Sequence, residues 1–307
     1  MKLIHLTDLH FTPPGIDHLG CQPRRRLEQA IESINADHDD AAWVVITGDL
    51  AALGQSAAYE ELKACLGDLR VPYRLGLGNG DHRARFRAVF RDAEVDENGF
   101  VQSVVETRAG RLLLLDTLEQ GVHWGELCER RLAWLARQLE QGGDAPVFLF
   151  MHHPPFPIGI KLIDSLALKN ADRLAALLDG KNIRHVFLGH AHRPASGSWR
   201  GIPFTILRST VSQFALRLGS KPPLRCYEAP FYAVVLIDDG QVVVHFHDYS
   251  YDGPTFPYKP VPNVVVDDET RASDFQRSIV SAALRPDREA REKDSDVEQN
   301  FGPVSKN

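Results

Sequence analysis

Apolar runs of four or five residues recur along the chain, and five of them stop at a side chain with coordinating chemistry. Leu3-Ile4-His5-Leu6 leads to Asp8, and Trp43-Val44-Val45-Ile46 leads to Gly48-Asp49. Residues 73–77 end at Gly78-Asn79, residues 147–151 at His152-His153, and residues 185–188 at Gly189-His190. Runs this short, rich in β-branched and aromatic residues and bounded by glycine or polar residues, predict buried strands that each open into a loop. Between them, residues 24–35, 57–66, 128–139 and 170–178 repeat apolar positions every three or four residues, which predicts amphipathic helices. The alternation reads as α/β. In such sheets ligands gather outside the carboxyl ends of the strands, so residues far apart in sequence meet at one edge. Further strands are predicted at 111–115, which runs into Asp116-Thr117, and at 203–207, 233–237 and 242–246. The last two are joined by Asp238-Asp239-Gly240, a hairpin turn that adds an antiparallel, α+β element.

Composition and charge bound this picture. With 307 residues, 43% of them hydrophobic and 25% charged, the chain has the make-up of an ordinary globular protein with a large core. From Asp267 onward it turns polar, with ten acidic and seven basic residues, so a catalytic domain is expected over 1–266 and a surface-lying or frayed tail over 267–307. The net charge of -6 argues against the basic stripe that a stable nucleic-acid complex needs. A local positive site is still compatible with this charge, because bound divalent cations would be the largest charges in it. Cys21, Cys65, Cys128 and Cys226 show no C-x-x-C spacing, and reduced thiols are expected. His5 and Asp8 interrupt the first apolar stretch and no later run is long enough to span a bilayer, so a cytoplasmic enzyme without membrane contact is expected.

The chemistry lies in the strand-end residues taken together. Asp8-Leu9-His10 places a carboxylate and an imidazole at alternate positions, facing one side. Asp49 adds a carboxylate whose two oxygens suit a bridge between cations, and Asn79 offers a neutral amide oxygen. His152 precedes Pro154-Pro155, which is too stiff to continue a strand or start a helix. Gly189-His190-Ala191-His192 again presents two side chains at alternate positions. Imidazole mixed with carboxylate and amide oxygen suits Mn or Fe, with Zn or Co as alternatives, whereas an all-oxygen set suits Mg or Ca.

In this order, Asp-x-His, Gly-Asp, Gly-Asn, His-x-Pro and Gly-His-x-His, the chain resembles the calcineurin-like metallophosphoesterases. It is most similar to the bacterial cyclic-nucleotide and glycerophosphodiester phosphodiesterases among them. The resemblance covers residues 1–250 and extends to Asp116-Thr117, Gly125-Glu126-Leu127 and Met151-His152-His153-Pro154-Pro155. It implies a four-layer fold, a β-sandwich flanked by helices, and two divalent or trivalent ions. One ion falls to Asp8, His10, Asp49 and His192, and the other to Asn79, His152 and His190, with Asp49 shared. It also implies in-line attack on a phosphodiester by a hydroxide between two ions about 3.5–4 Å apart. The substrate class it implies is a small cyclic nucleotide or glycerophosphodiester, and the assembly it suggests is a homodimer or larger.

One position departs from the family's pattern. Where the family reads Gly-Asn-His, this chain reads Gly78-Asn79-Gly80-Asp81-His82. The histidine thought to contact phosphate or protonate the leaving group is replaced by Gly80. Either His82 takes over as that acid or it is an exposed loop residue; Arg83 and Arg85, just beyond, either bind phosphate or are surface charges. His153 and His123 are expected outside the metal shell, as hydrogen-bonding neighbours. The segment 214–231 either lines the substrate mouth or meets another subunit. Two competing readings remain at this stage: a phosphomonoesterase, and a metal-free scaffold of the same fold.

Overall fold

A computed structural model of the chain describes residues 1–255. The expected end of the catalytic domain at 266 and the tail 267–307 lie outside the described residues. Contacts divide the chain into two units, Met1–Tyr251 and Asp252–Asn307, and the sheets described next belong to the first.

Two sheets face each other. In the first, β1 (Lys2–Leu6), β2 (Trp43–Thr47) and β3 (Tyr73–Gly76) run parallel, and β12 (Tyr232–Asp238) and β13 (Gln241–His247) extend it antiparallel, in the order β13-β12-β1-β2-β3. In the second, β5 (Gly110–Leu114), β6 (Val147–Met151), β7 (Ile183–Leu188) and β9 (Ile202–Ile206) are parallel. The antiparallel edges β4 (Ser103–Thr107) and β8 (Ala195–Trp199) complete the order β4-β5-β6-β7-β9-β8. A separate ribbon pairs β10 (Gln213–Phe214) with β11 (Arg225–Cys226).

The apolar runs are continuous because these strands are buried on both faces. Along β6, Val147, Leu149 and Met151 enter one core while Phe148 and Phe150 enter another, the alternation a pleated strand imposes. Leu3, Val45, Leu112, Leu114, Phe148, Phe150 and Phe187 fill the space between the sheets. The outer face of the first sheet is covered by α1 (Pro23–Asp37), α2 (Ser56–Leu66) and α3 (Arg83–Val89). That of the second is covered by α4 (Glu129–Gly142), α5 (Lys161–Ser165) and α6 (Ala171–Leu178). In α1 the buried stripe is Leu27, Ala30, Ile31 and Ile34, spaced at three and four as a helix face requires, and Pro23 starts the helix where its missing N–H is no loss. The result is the expected four-layer α/β sandwich.

The parallel strands of each sheet end at a common edge, and backbone bonds lock the loops there. Asp8 N donates to Gly48 O (3.0 Å), His10 N to Asp49 O (2.8 Å) and Gly189 N to His152 O (3.1 Å). Across the sheets, His190 N donates to Asp8 Oδ2 (3.0 Å). The loops after β1, β2, β6 and β7 are thereby held as one surface.

Candidate metal centre

Asp8, His10, Asp49 and His192 lie so that one ligand atom from each falls within 4.8 Å of the others, and all four are buried. The carboxylate of Asp8 is held one oxygen at a time. Its Oδ2 accepts from Thr7 Oγ1 (2.7 Å) and from His190 N (3.0 Å), while Oδ1 has no hydrogen-bond partner. That free oxygen faces His192 Nε2 at 3.2 Å, and His10 Nε2 and His152 Nε2 at 3.9 Å. His192 Nδ1 lies 2.6 Å from the carbonyl of Ser212, so Nδ1 carries the proton and Nε2 turns a lone pair inward. His10 Nε2 stands 2.9 Å from it.

His152, His153 and His190 form a second buried group. His152 Nδ1 donates to Thr47 O (2.8 Å), which leaves Nε2 with a bare lone pair and no partner. Asn79 Oδ1 sits 2.8 Å from His190 Nδ1, which brings the amide into this group. His153 belongs here too, its Nδ1 at 2.8 Å from Thr117 Oγ1 and its Nε2 unpartnered.

Asp49 stands between the two groups. Oδ1 is 3.4 Å from His152 Nε2, Oδ2 is 3.6 Å from His10 Nε2, and Gly80 N donates to Oδ1 (2.7 Å). Burial pushes the Asp49 carboxyl up from its ordinary value. For Asp8 burial acts the same way, but the charges of His192 and His152 outweigh it and hold the group well below the usual carboxylate range. Burial drives His10 far down, with His192 adding to the effect, and holds His190 at about 3, reinforced by His152. For His192 burial is overcome by Asp8, which raises it.

Imidazoles and carboxylates, buried with their lone pairs converging, are a donor set that a cation satisfies. The orphaned Asp8 Oδ1, His152 Nε2 and His190 Nε2 are the atoms a metal pair would take. The residues fit such a pair.

The backbone is bent to make this arrangement. Among the described residues, five of the seven non-glycine positions with positive φ are Asp8 (55°), His10 (48°), Asp49 (48°), His190 (68°) and His192 (47°). Left-handed backbone is costly for residues with a Cβ and clusters where surrounding structure enforces it for function. Gly48, at φ 98°, lies where a Cβ would come within 2.6 Å of Gly78 N, so the two loops approach only because that position is bare.

The loop after β3 is organised by Asp81, which was quoted in the sequence but not singled out. Its carboxylate accepts from Leu50 N (3.1 Å), Ala51 N (2.9 Å), Gly78 N (2.9 Å) and Tyr59 Oη (2.9 Å), tying the Asn79 loop to the Asp49 loop. Gly80 is packed against the same strand exit: a Cβ there would meet Ala51 O at 2.7 Å.

The structure does not bring His82 or Arg83 into either group. His82 caps α3, its Nδ1 accepting from Arg85 N (3.4 Å) and its own N donating to Tyr59 Oη (2.8 Å). The Arg83 guanidinium forks onto Asp116 (2.7 and 2.9 Å), reaches Leu118 O (2.7 Å) and lies over Phe100, which pairs it with a buried carboxylate. Arg85 turns to Gly54 O (3.3 Å). No signal in the sequence marked Asp116 as the partner of Arg83. For His153, the expected hydrogen bond is present, and the ring also reaches the second group.

The calcineurin-like phosphoesterase family model matches residues 1–194. A probable cyclic nucleotide phosphodiesterase of Rhodopseudomonas palustris is 41% identical over 261 residues, which is 83% of this chain and 95% of the relative. A glycerophosphodiester phosphodiesterase of Enterobacter lignolyticus is 31% identical over 69% of this chain and 78% of its own length. A crystal structure of a dimetal phosphatase from Danio rerio superposes with a TM-score of 0.61 at 14% identity, covering 81% of this chain and 96% of that one, and shares the fold. The chain belongs to the calcineurin-like phosphoesterase family. Within it, this protein is a metal-dependent phosphoesterase whose relatives include proteins named as cyclic nucleotide and glycerophosphodiester phosphodiesterases. Among the described residues no helix is long and apolar enough to cross a membrane.

Proposed function

We propose that the protein hydrolyses a small phosphodiester, of the cyclic nucleotide or glycerophosphodiester class, at a two-metal site built from Asp8, His10, Asp49, Asn79, His152, His190 and His192. The observation that carries this reading is the position of Asp49, one oxygen toward each group of histidines. A metal pair bound there supplies Lewis acidity and an activated water at neutral pH. Every other task falls to the chain. Asp49 sets the spacing of the two positions, Thr7 and His190 N fix the Asp8 carboxylate, and the carbonyls of Thr47 and Ser212 fix the tautomers of His152 and His192. The mixed nitrogen and oxygen donors favour Mn or Fe.

With Gly80 in place of a histidine, no imidazole is attached at that position to protonate a leaving group, so esters with good leaving groups are the better substrates. Metal-stripped protein assayed on a chromogenic phosphodiester and its matched monoester, before and after adding Mn, tests the reading. Metal-dependent turnover favouring the diester is expected. Preference for the monoester would replace it with the phosphomonoesterase reading, and absence of bound metal would leave the scaffold.

A further inference from the structure

On the His192 side of the site, Arg225 has no acidic partner among the described residues. Arg24, Arg83, Arg131, Arg193 and Arg208 each meet a carboxylate, at 2.7 Å, 2.7 Å, 3.1 Å, 2.7 Å and 3.3 Å respectively. Arg225, on β11, forms no ion pair among the described residues. Its Nη1 donates to Ser212 Oγ (2.8 Å), and its guanidinium lies over the ring of Phe214 at 4.8 Å. Both contacts lead to the first metal-type group. Ser212 O accepts a hydrogen bond from His192 Nδ1, Phe214 N donates to His192 O (3.1 Å), and the Phe214 ring is 5.9 Å from the His192 ring. Pairing of Phe214 with Arg225 across the β10–β11 ribbon fixes the register that puts the guanidinium there.

We propose that Arg225 binds the phosphoryl group of the substrate, as a specificity-determining contact on the His192 side of the site; this rests on the phosphoesterase reading above. A guanidinium has five N–H donors in a planar fork that matches two oxygens of a phosphoryl group. The contact to Ser212 uses one nitrogen and leaves the remaining donors free. The stacking on Phe214 holds the plane without neutralising it. Its charge is felt within the site: Asp8 acts on Arg225, and Arg225 acts on His18, whose ring stacks on His10 at 4.9 Å, and on His192. A solvent-exposed cation so placed, beside a cluster whose own carboxylates are to be covered by metal, is arranged for an anion brought in from solution.

The test is binding of inorganic phosphate to Mn-loaded protein by titration calorimetry, with metal content measured on the same samples. Arg225→Ala is expected to weaken phosphate by about 10-fold or more, the scale of one charge-assisted hydrogen bond, with both metals retained. Arg225→Lys keeps the charge without the fork and is expected to fall between. Ser212→Ala, which keeps the carbonyl that holds His192, loosens the guanidinium and is expected to weaken phosphate less than Arg225→Ala. In diester turnover the loss is expected in KM more than in kcat. Unchanged phosphate affinity in Arg225→Ala overturns the proposal, as does loss of metal in step with phosphate, which would make Arg225 only a support for His192. Wild-type protein that binds phosphate through Arg225 yet hydrolyses no diester would remove the proposed activity and leave this contact standing.

Discussion

The two metal-type groups are built from the same edge of the fold but from different chemistry. Asp8, His10, Asp49 and His192 contribute two carboxylates, and all four sit on left-handed backbone. Asn79, His152, His153 and His190 contribute a neutral amide and imidazoles, and among them His190 alone has positive φ. Negative charge and enforced geometry both concentrate on the first group. It should therefore hold its cation more tightly, and the second should exchange more readily, with Asp49 as the charge they share.

Removing the shared residue is the strongest way to break this comparison. Asp49→Ala is expected to lower metal content below one ion per chain and diester turnover by about 1,000-fold or more, since both positions lose a donor. Asn79→Ala separates the groups: one ion should remain, measured by mass spectrometry of the digested protein, with turnover down by about 100-fold. Retention of two ions in Asn79→Ala would show that the amide is no ligand.

The strand-to-loop transitions were legible because burial on both faces leaves an unbroken apolar run, and the run's end marks the site edge. Thus β1, β2, β6 and β7 lead to Asp8, Asp49, His152 and His190 as read from the sequence. What could not be read depends on contacts distant in sequence. Ala195–Trp199, with a glycine and two serines, is a strand because it pairs with β9 at the sheet edge. Arg83 was open as a phosphate ligand or a surface charge, and its pairing with the buried carboxylate of Asp116, in the loop after β5, has no local signal. Left-handed backbone at Asp8 or His192 has no sequence signal at all, because neither residue type requires it. The role of Arg225 was equally hidden, since a two-residue strand leaves no period to detect.

Away from the edge, a smaller effect sharpens the contrast between buried imidazoles that await metal and one that does not. Burial holds His185 at about 4, below its ordinary 6.5, with Nε2 2.9 Å from Thr205 Oγ1. Its neutral form therefore stabilises the fold fully above pH 6.5, and that contribution is lost as the pH falls through 4. In metal-free protein, thermal melts of His185→Gln should fall less steeply with acid than wild type, the difference reaching at most about 3 kcal/mol. Equal slopes would mean that other groups govern acid unfolding.

The smallest effect is expected at His82. Replacing it by Ala removes the cap on α3 and should cost about 0.5–1 kcal/mol of stability in chemical denaturation, with kcat for a chromogenic diester within about twofold of wild type. A drop in kcat restricted to esters with poor leaving groups would instead make His82 the leaving-group acid.

The packing of Gly80 also bears on how this loop can change. A Cβ at that position meets the carbonyl of Ala51, whose own N–H is fixed by Asp81 and whose neighbour Ala52 N donates to Phe11 O (2.9 Å), so the obstacle is backbone held on both sides. A histidine at this position therefore requires the Ala51 carbonyl, and with it the Asp49 exit, to shift. Position 80 thus acts as an interlock: any side chain placed there is felt at the Asp49 exit, so the choice of residue and the spacing of the two loops are set together.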